Sequence, residues 1–258
     1  MNPPGGTITI AGKTVSRLGL GTMRLPGRDS WGNLNAGRAK AMRLLGEAVR
    51  AHGITHIDTA DAYGPHSVED LIRDVLAPYW FDTDVLIATK VGMIRPGPTT
   101  WKPLGRPEYL RAAVEGSLRR LGVERLDLCY LHRNDPTVPF VEQVGALAEL
   151  HAEGKIAHIG LSKVTPDEIY TALSVTPIAA VQNKLNLDLQ DDLETIEHCR
   201  DLGIPYVAYA PLGAGALAVQ ENRAKALRWL LDLGPHVAPI PGTASLPHLH
   251  QLIKSIQT

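Results

Sequence analysis

Short apolar, β-branched runs recur along the chain about every 20 to 40 residues, each followed by a stretch whose apolar positions repeat with helical spacing. The runs are Leu18–Thr22, Thr55–Thr59, Asp84–Val91, Leu126–His132, Ala157–Ser162, Ile178–Asn183, Pro205–Ala210 and Val237–Ile240. Between them the period changes. In Arg38–His52, the residues Met42, Leu45, Ala48 and Val49 share one face. In Pro107–Leu121, Leu110, Ala113, Val114, Leu118 and Leu121 do the same, with Arg111, Glu115 and Arg119 opposite. Phe140–His151 repeats the pattern through Val141, Val144, Leu147 and Ala148. Such spacing predicts helices packed by one face on a sheet.

Punctuation agrees with this reading. Pro107 and Pro166 stand where a first helical turn needs no N–H, and Thr165 is placed to cap. Gly53, Gly122, Gly154 and Gly203 follow helical stretches as left-handed terminators would. Eight strand–helix units in about 240 residues predict a single closed (β/α)₈ TIM barrel spanning residues 1–258. The competing doubly wound sheet lacks its fingerprint, because Gly19-Leu-Gly21 has Arg24 where a third glycine belongs. Ahead of the first unit, Thr7–Ile10 and Lys13–Val15 flank Ala11-Gly12 and predict a β-hairpin plugging the bottom of the barrel. The Gly/Pro-rich stretch Gly92–Pro107 is expected to be a long loop, and a helix is expected to begin near Arg223.

Composition narrows the function classes. Lys plus Arg number 26 against 27 Asp plus Glu, a net charge of -1, which argues against a nucleic-acid or anionic-membrane surface. Two cysteines, Cys129 and Cys199, build neither a disulfide framework nor a metal or redox spacing, and no metal site is expected. No signal-peptide pattern and no apolar run of about 18 residues is visible. A cytoplasmic protein is the expectation.

In a barrel, side chains at the C-terminal ends of the strands converge on one site. Those ends carry Asp58, Lys90, His132, Ser162 and Gln182, with Tyr63 five residues beyond Asp58 in the loop Asp61-Ala-Tyr-Gly64. A free tyrosine, with a pKa of about 10, is a poor acid at neutral pH. A neighbouring ammonium favours phenolate, so Lys90 held by Asp58 is expected to lower the pKa of Tyr63. Tyr63 would then pass a proton to a carbonyl oxygen that His132 orients. The set supplies a proton but no reductant, so it implies a cofactor.

The chain resembles the aldo-keto reductase family. The likeness rests on His56-Ile-Asp-Thr-Ala-Asp-Ala-Tyr-Gly64, Ala88-Thr-Lys-Val-Gly92, Asp127-Leu-Cys-Tyr-Leu-His132 and Gly154-Lys-Ile-Ala-His-Ile-Gly-Leu-Ser162. It continues through Val181-Gln-Asn183, Ala208-Tyr-Ala-Pro-Leu-Gly213 and Ile240-Pro-Gly-Thr243, so it covers nearly the whole chain. The resemblance implies an NAD(P)H-dependent oxidoreductase that reduces an aldehyde or ketone by hydride transfer from nicotinamide C4, with Tyr63 as general acid. The family's tetrad falls on Asp58, Tyr63, Lys90 and His132. Its carboxamide-binding positions fall on Ser162 and Gln182, with Lys163 where Asn is usual, and its nicotinamide-stacking aromatic falls on Tyr209. Thr22, Leu212, Gly242, Thr243, His248 and Gln251 match the rest of the cofactor groove.

The departures matter. Lys163 offers only donors where an amide would both donate and accept. His248 stands where many relatives have a phosphate-contacting arginine, which leaves NADPH favoured and NADH as the alternative. The implied partner is a small carbonyl compound. Met23, Trp31 and Trp101, with Leu25 and Met93, are the expected pocket walls, whereas Arg133 and Asn134 are expected at a solvated rim. Tyr63-Gly-Pro-His66, with Lys90-Val-Gly92 ahead of Trp101-Lys-Pro, is similar to the branch containing pyridoxal reductases. The segment between Leu212 and the next helix is expected to be short beside relatives, and no long C-terminal tail is expected after the eighth helix. Shortened loops of this kind predict an open site. The competing readings are a nicotinamide-binding regulatory or channel-associated barrel with little turnover, and an aldolase using Lys90 as a Schiff base.

Overall fold

The computed structural model describes residues 3–27, 30–31, 37–77, 85–218 and 220–257. It begins with an antiparallel hairpin, β1 (Thr7–Ile10) and β2 (Lys13–Ser16), turned by Ala11 and Gly12 at φ of 51° and 74°. Eight parallel strands follow: β3 (Leu20–Gly21), β4 (His56–Asp58), β5 (Leu86–Val91), β8 (Leu128–Leu131), β9 (Ile159–Ser162), β10 (Ala180–Lys184), β11 (Tyr206–Tyr209) and β12 (Val237–Pro239). They neighbour one another in chain order. Seven lie within their sequence-predicted runs and β10 extends one residue past its run, to Lys184, while the expected start of the third at Asp84 falls outside the described residues.

The sheet closes into a ring. Gly19 and Gly21 donate their amides to the carbonyls of Pro239 (3.0 Å) and Pro241 (3.1 Å), and Gly21 bridges Gly242 in parallel. Glycine is required here by close approach: a Cβ on Gly21 would lie 3.0 Å from the Ile240 carbonyl, and one on Gly242 3.0 Å from the Gly21 carbonyl.

Among the described residues eight helices cover the outside: α1 (Arg38–Arg50), α2 (Ser67–Leu76), α3 (Pro107–Leu121), α4 (Phe140–Ala152), α5 (Pro166–Leu173), α6 (Leu193–Asp201), α7 (Gln220–Asp232) and α8 (Leu246–Gln257). The start of α7 is thus a turn earlier than the expected Arg223. Local signals set the boundaries. Thr165 accepts from the Glu168 amide and Glu168 reaches back, a full capping box on the short α5, worth about 1 kcal/mol. Gly53, Gly122, Gly154 and Gly203 all take positive φ just past their helices.

Side-chain alternation sorts the strands into two environments. Ile57, Ile87, Cys129, Leu131, Leu161, Val181, Tyr206 and Val237 pack outward beneath the helices. Leu86, Ala88, Leu128, Tyr130, Ala180, Val207 and Ala238 fill the lumen, where Ile8, Ile10 and Val15 of the hairpin join them. Lys13 reaches the Val85 carbonyl (3.0 Å) and Asp127 (2.8 Å), at the entry to β5 and β8. The hairpin therefore caps the N-terminal end of the lumen, as its sequence suggests. Cys129 and Cys199 are buried free thiols, and burial pushes Cys199 up to about 12. Both are unreactive packing residues.

One expectation fails. The segment after β5 is a second antiparallel hairpin, β6 (Met93–Gly97) and β7 (Thr100–Pro103), rather than an irregular loop. Its prolines and glycines read as breakers, but they occupy a bulged two-stranded ribbon with no inner neighbours, where missing donors are tolerated. Among the described residues no helix is long and apolar enough to cross a membrane.

Candidate active site

Strand phase decides what the mouth of the barrel displays. On β5 the lumen-facing series Leu86 and Ala88 continues to Lys90, and on β8 Leu128 and Tyr130 continue to His132. Parallel register sets Ser162 opposite Gln182 and Asp58 opposite Ala88, at the same level of the ring. The side chains singled out in the sequence are thus the last inward steps of their strands. Tyr130 fills the lumen below them across from Gly160, where an added Cβ would meet its ring at 2.4 Å.

The centre is a buried ion pair. Lys90 Nζ donates to Asp58 Oδ1 (2.6 Å) and to the Thr59 carbonyl (2.7 Å), and the two side chains are 1% and 2% exposed. Gln182 Nε2 donates to the other oxygen, Asp58 Oδ2 (2.7 Å). This support for Asp58 was missed in the sequence, where Gln182 was read only for its cofactor contact. Thr22 is likewise tied to Asp58: its amide (2.9 Å) and Oγ1 (2.8 Å) both donate to the Asp58 carbonyl, pinning β3 to β4. Lys90 also engages the Tyr63 hydroxyl and lies 5.2 Å from the ring centroid.

These contacts set the protonation states. Desolvation alone would depress Lys90, but Asp58 and Tyr63 outweigh it and hold the amine above its usual 10.5. An amine kept protonated is a poor Schiff-base nucleophile, which removes support from the aldolase reading. Burial pushes Asp58 up, and Lys90 and Gln182 pull it back only in part. Tyr63 corrects an expectation: burial raises it above its usual 10.0, and Lys90 offsets that only partly. Desolvation outweighs the ammonium, so Tyr63 holds its proton throughout the neutral range. Burial, then the charges of Lys90 and Arg133, drive His132 well below 6.5, so its imidazole is neutral. His132 Nδ1 is buried without a hydrogen-bond partner among the described residues.

Three aromatic edges frame the reacting groups. Tyr63, His132 and Trp101 meet edge-to-face with centroids 6.0 to 6.4 Å apart. Trp101 therefore lies against both Tyr63 and His132. Its own position is fixed by Arg95 on β6, a residue the sequence did not flag. The Arg95 guanidinium stacks 3.7 Å from the Trp101 centroid and 5.3 Å from that of Trp31, and it donates to the Ser30 carbonyl (3.2 Å) and to that of Pro98. Arg95 thus connects Trp31 to Trp101. Met23 is 38% exposed at the rim. A desolvated cation–π stack is worth about 2 kcal/mol, so Arg95→Met is expected to loosen Trp101 and raise KM for carbonyl substrates roughly tenfold. Steady-state kinetics with kcat and KM separated would show it; an unchanged KM would remove Arg95 from the site.

Arg133 departs from its expected place at the rim. It donates to the His132 carbonyl (2.6 Å) and Ser162 Oγ (3.1 Å), with its guanidinium 5.7 Å from the Tyr209 centroid. Ser162 thus accepts from Arg133, whose guanidinium also lies beside the Tyr209 ring. Asn134 bonds Glu168 and Gln143 instead of facing the mouth. Lys163 is exposed and left-handed at φ 56°, a backbone state that asparagine tolerates better than lysine. Farther along, Leu212 is half-buried before a 3-10 turn at Gly213–Gly215. Thr243 Oγ1 accepts from the Ser245 amide (3.1 Å) ahead of α8, which presents His248 and Gln251 to solvent. Arg24, unassigned in the sequence, runs beside Gly242 and makes a long contact (3.5 Å) with the Ala214 carbonyl.

Comparison with known proteins points the same way. Residues 17–226 match the Aldo/keto reductase family. The chain is 36% identical over 264 residues to pyridoxine 4-dehydrogenase of Escherichia coli, covering 95% of this chain and 91% of that one. Its fold superposes on glycerol dehydrogenase of Gluconobacter oxydans with a TM-score of 0.86 at 27% identity, covering 97% and 90% of the two chains. It superposes on an aldo-keto reductase of Klebsiella pneumoniae in complex with NADPH with a TM-score of 0.77 at 26% identity, covering 98% and 89%. The chain therefore belongs to the aldo/keto reductase family, as a (β/α)₈ barrel oxidoreductase that depends on NAD(P)H.

Proposed function

We propose that this barrel reduces the carbonyl group of a small aldehyde or ketone to an alcohol, with Tyr63 as the proton donor. The observation that carries this reading is a protonated tyrosine beside a buried ammonium–carboxylate pair and a neutral imidazole. When bound, a reduced nicotinamide supplies the hydride. The protein's part is to hold the carbonyl oxygen between Tyr63 and His132 and to give it a proton as negative charge develops there. Lys90 stabilises the phenolate left behind, and Asp58, supported by Gln182, keeps Lys90 in place.

Tyr209 would hold the nicotinamide ring, with Ser162, Lys163 and Gln182 at its carboxamide. Thr22, Leu212, Gly242, Thr243, His248 and Gln251 would line the remainder of the groove. NADPH is favoured over NADH by the Klebsiella pneumoniae relative's complex. The exposed His248 makes the preference weaker than an arginine there would. Pyridoxal-like aldehydes are the leading substrate class, supported by the Escherichia coli relative's name and by an edge-on aromatic frame suited to a flat ring.

The test is a panel of aldehydes that includes pyridoxal, assayed separately with NADPH and NADH at matched concentrations. Turnover of pyridoxal with NADPH above the other pairs supports the reading, and no turnover of any member overturns it. A pH profile adds a sharper expectation. Tyr63 sits above 10.0 and His132 below 6.5, so neither changes charge between those values. The reduction kcat should be flat across that window and fall only at higher pH, as the Tyr63 proton is lost. A break near pH 7 would assign proton donation to another group.

A further inference from the structure

Helices α1 and α8 are the first and last of the outer ring, and they meet over three side chains, two from the end of α1 and one from α8. Glu47 lies in the last turns of α1, His52 just beyond its end, and His250 on α8. His250 Nε2 bonds Glu47 Oε1 at 2.5 Å, and His52 Nε2 lies 3.8 Å from the same oxygen. The two imidazoles stand edge-to-face with centroids 5.4 Å apart. One ligand atom from each residue lies within 4.8 Å of the others. His52 Nε2 is buried yet has no hydrogen-bond partner among the described residues, so one of the three donors points into the cluster unsatisfied. Arg43 lies 4.0 Å from the outer oxygen, Glu47 Oε2, leaving Oε1 to the histidines.

The geometry points to a divalent transition-metal site of the zinc class formed by Glu47, His52 and His250, clasping α1 to α8. Two imidazoles and one carboxylate are a borderline donor set that suits Zn²⁺ and disfavours Mg²⁺, which takes oxygen ligands. Ligand bonds of about 2.0–2.1 Å in a tetrahedron put the donor atoms about 3.3 Å apart. Side-chain torsions supply that spacing: Glu47 and His250 separate slightly, and His52 closes in. Three protein ligands leave the fourth position to water. His52 also follows the C-terminus of α1, whose terminal carbonyls favour a cation. The site belongs to neither the tetrad nor the cofactor groove. Its role is structural, across the seam where the barrel closes. Because the metal binds the folded chain, it raises stability by mass action.

The test uses the full chain, freed of any affinity tag and treated with EDTA. Calorimetric titration with ZnCl₂ should show one equivalent binding, and thermal unfolding should show a Tm higher by a few degrees with Zn²⁺ but not with Mg²⁺. His52→Ala and His250→Gln should each abolish both effects while leaving carbonyl reduction unchanged. Co²⁺ in place of Zn²⁺ should give visible absorption of tetrahedral intensity, which needs no enzymatic readout and is lost in the same variants. No binding of Zn²⁺, binding that survives in both variants, or equal stabilisation by Mg²⁺ would overturn the assignment.

Discussion

Tyr63→Phe is expected to lower carbonyl reduction by about 10³-fold, within the 10²–10⁴ range of a lost proton donor, with nicotinamide affinity nearly unchanged. The substitution removes one oxygen and keeps the ring, so the edge-to-face contacts with Trp101 and His132 persist. No neighbour replaces the lost proton efficiently. His132 is a neutral imidazole, and Lys90 is committed to Asp58 and the Thr59 carbonyl. Single-turnover rates, with cofactor binding followed through tryptophan fluorescence, separate the two effects. Turnover within threefold of the parent would mean that Tyr63 is not the donor. Loss of cofactor binding would instead make it part of the groove.

Lys90→Met carries the second large effect, on stability as well as rate. It leaves the Asp58 carboxylate in the lumen with Gln182 as its remaining side-chain donor. Breaking one side of a buried pair costs about 3–5 kcal/mol, because the partner stays charged or takes up a proton out of water. The midpoint of urea unfolding should fall accordingly. Asp58→Leu combined with Lys90→Met should recover much of that loss, since both charges are then gone, while activity stays absent. A double variant no more stable than Lys90→Met would show that Lys90 is held by packing more than by charge. Recovered activity in it would contradict the role given to Lys90.

Much of this was readable from the chain. The alternation of strand and helix, the terminating glycines and Thr165 with Glu168 are local signals, and local signals survive without tertiary context. Asp58, Lys90, His132, Ser162 and Gln182 could be singled out because the C-terminal ends of barrel strands converge on one face. What stayed hidden depends on three dimensions. The β6–β7 hairpin escaped because Pro96, Gly97 and Pro98 look like a loop, and only the pairing of Met93 with Pro103 shows otherwise. Arg95 stacking on Trp101, Arg133 turning back to Ser162, and Gln182 supporting Asp58 are contacts between elements far apart in sequence. The direction of the Tyr63 shift was misjudged because burial, the larger influence, cannot be read from a residue's identity. Glu47, His52 and His250 share no spacing motif, since two lie near the end of one helix and the third on another some 200 positions later.

The closing seam also bears on synthesis. Gly19 and Gly21 find their acceptors on Pro239 and Pro241, and Arg17 donates to the Val237 carbonyl (3.1 Å) across 220 positions. At about 5–20 residues per second, a ribosome needs roughly ten to forty seconds between making these two ends. For that interval the nascent chain holds seven barrel strands or fewer, with the β3 edge uncovered and able to pair with a neighbouring chain. Ring closure is therefore a late step of long sequence separation. The vulnerable period of this protein is its birth, and chaperone dependence in the cell should track translation rate more than final stability.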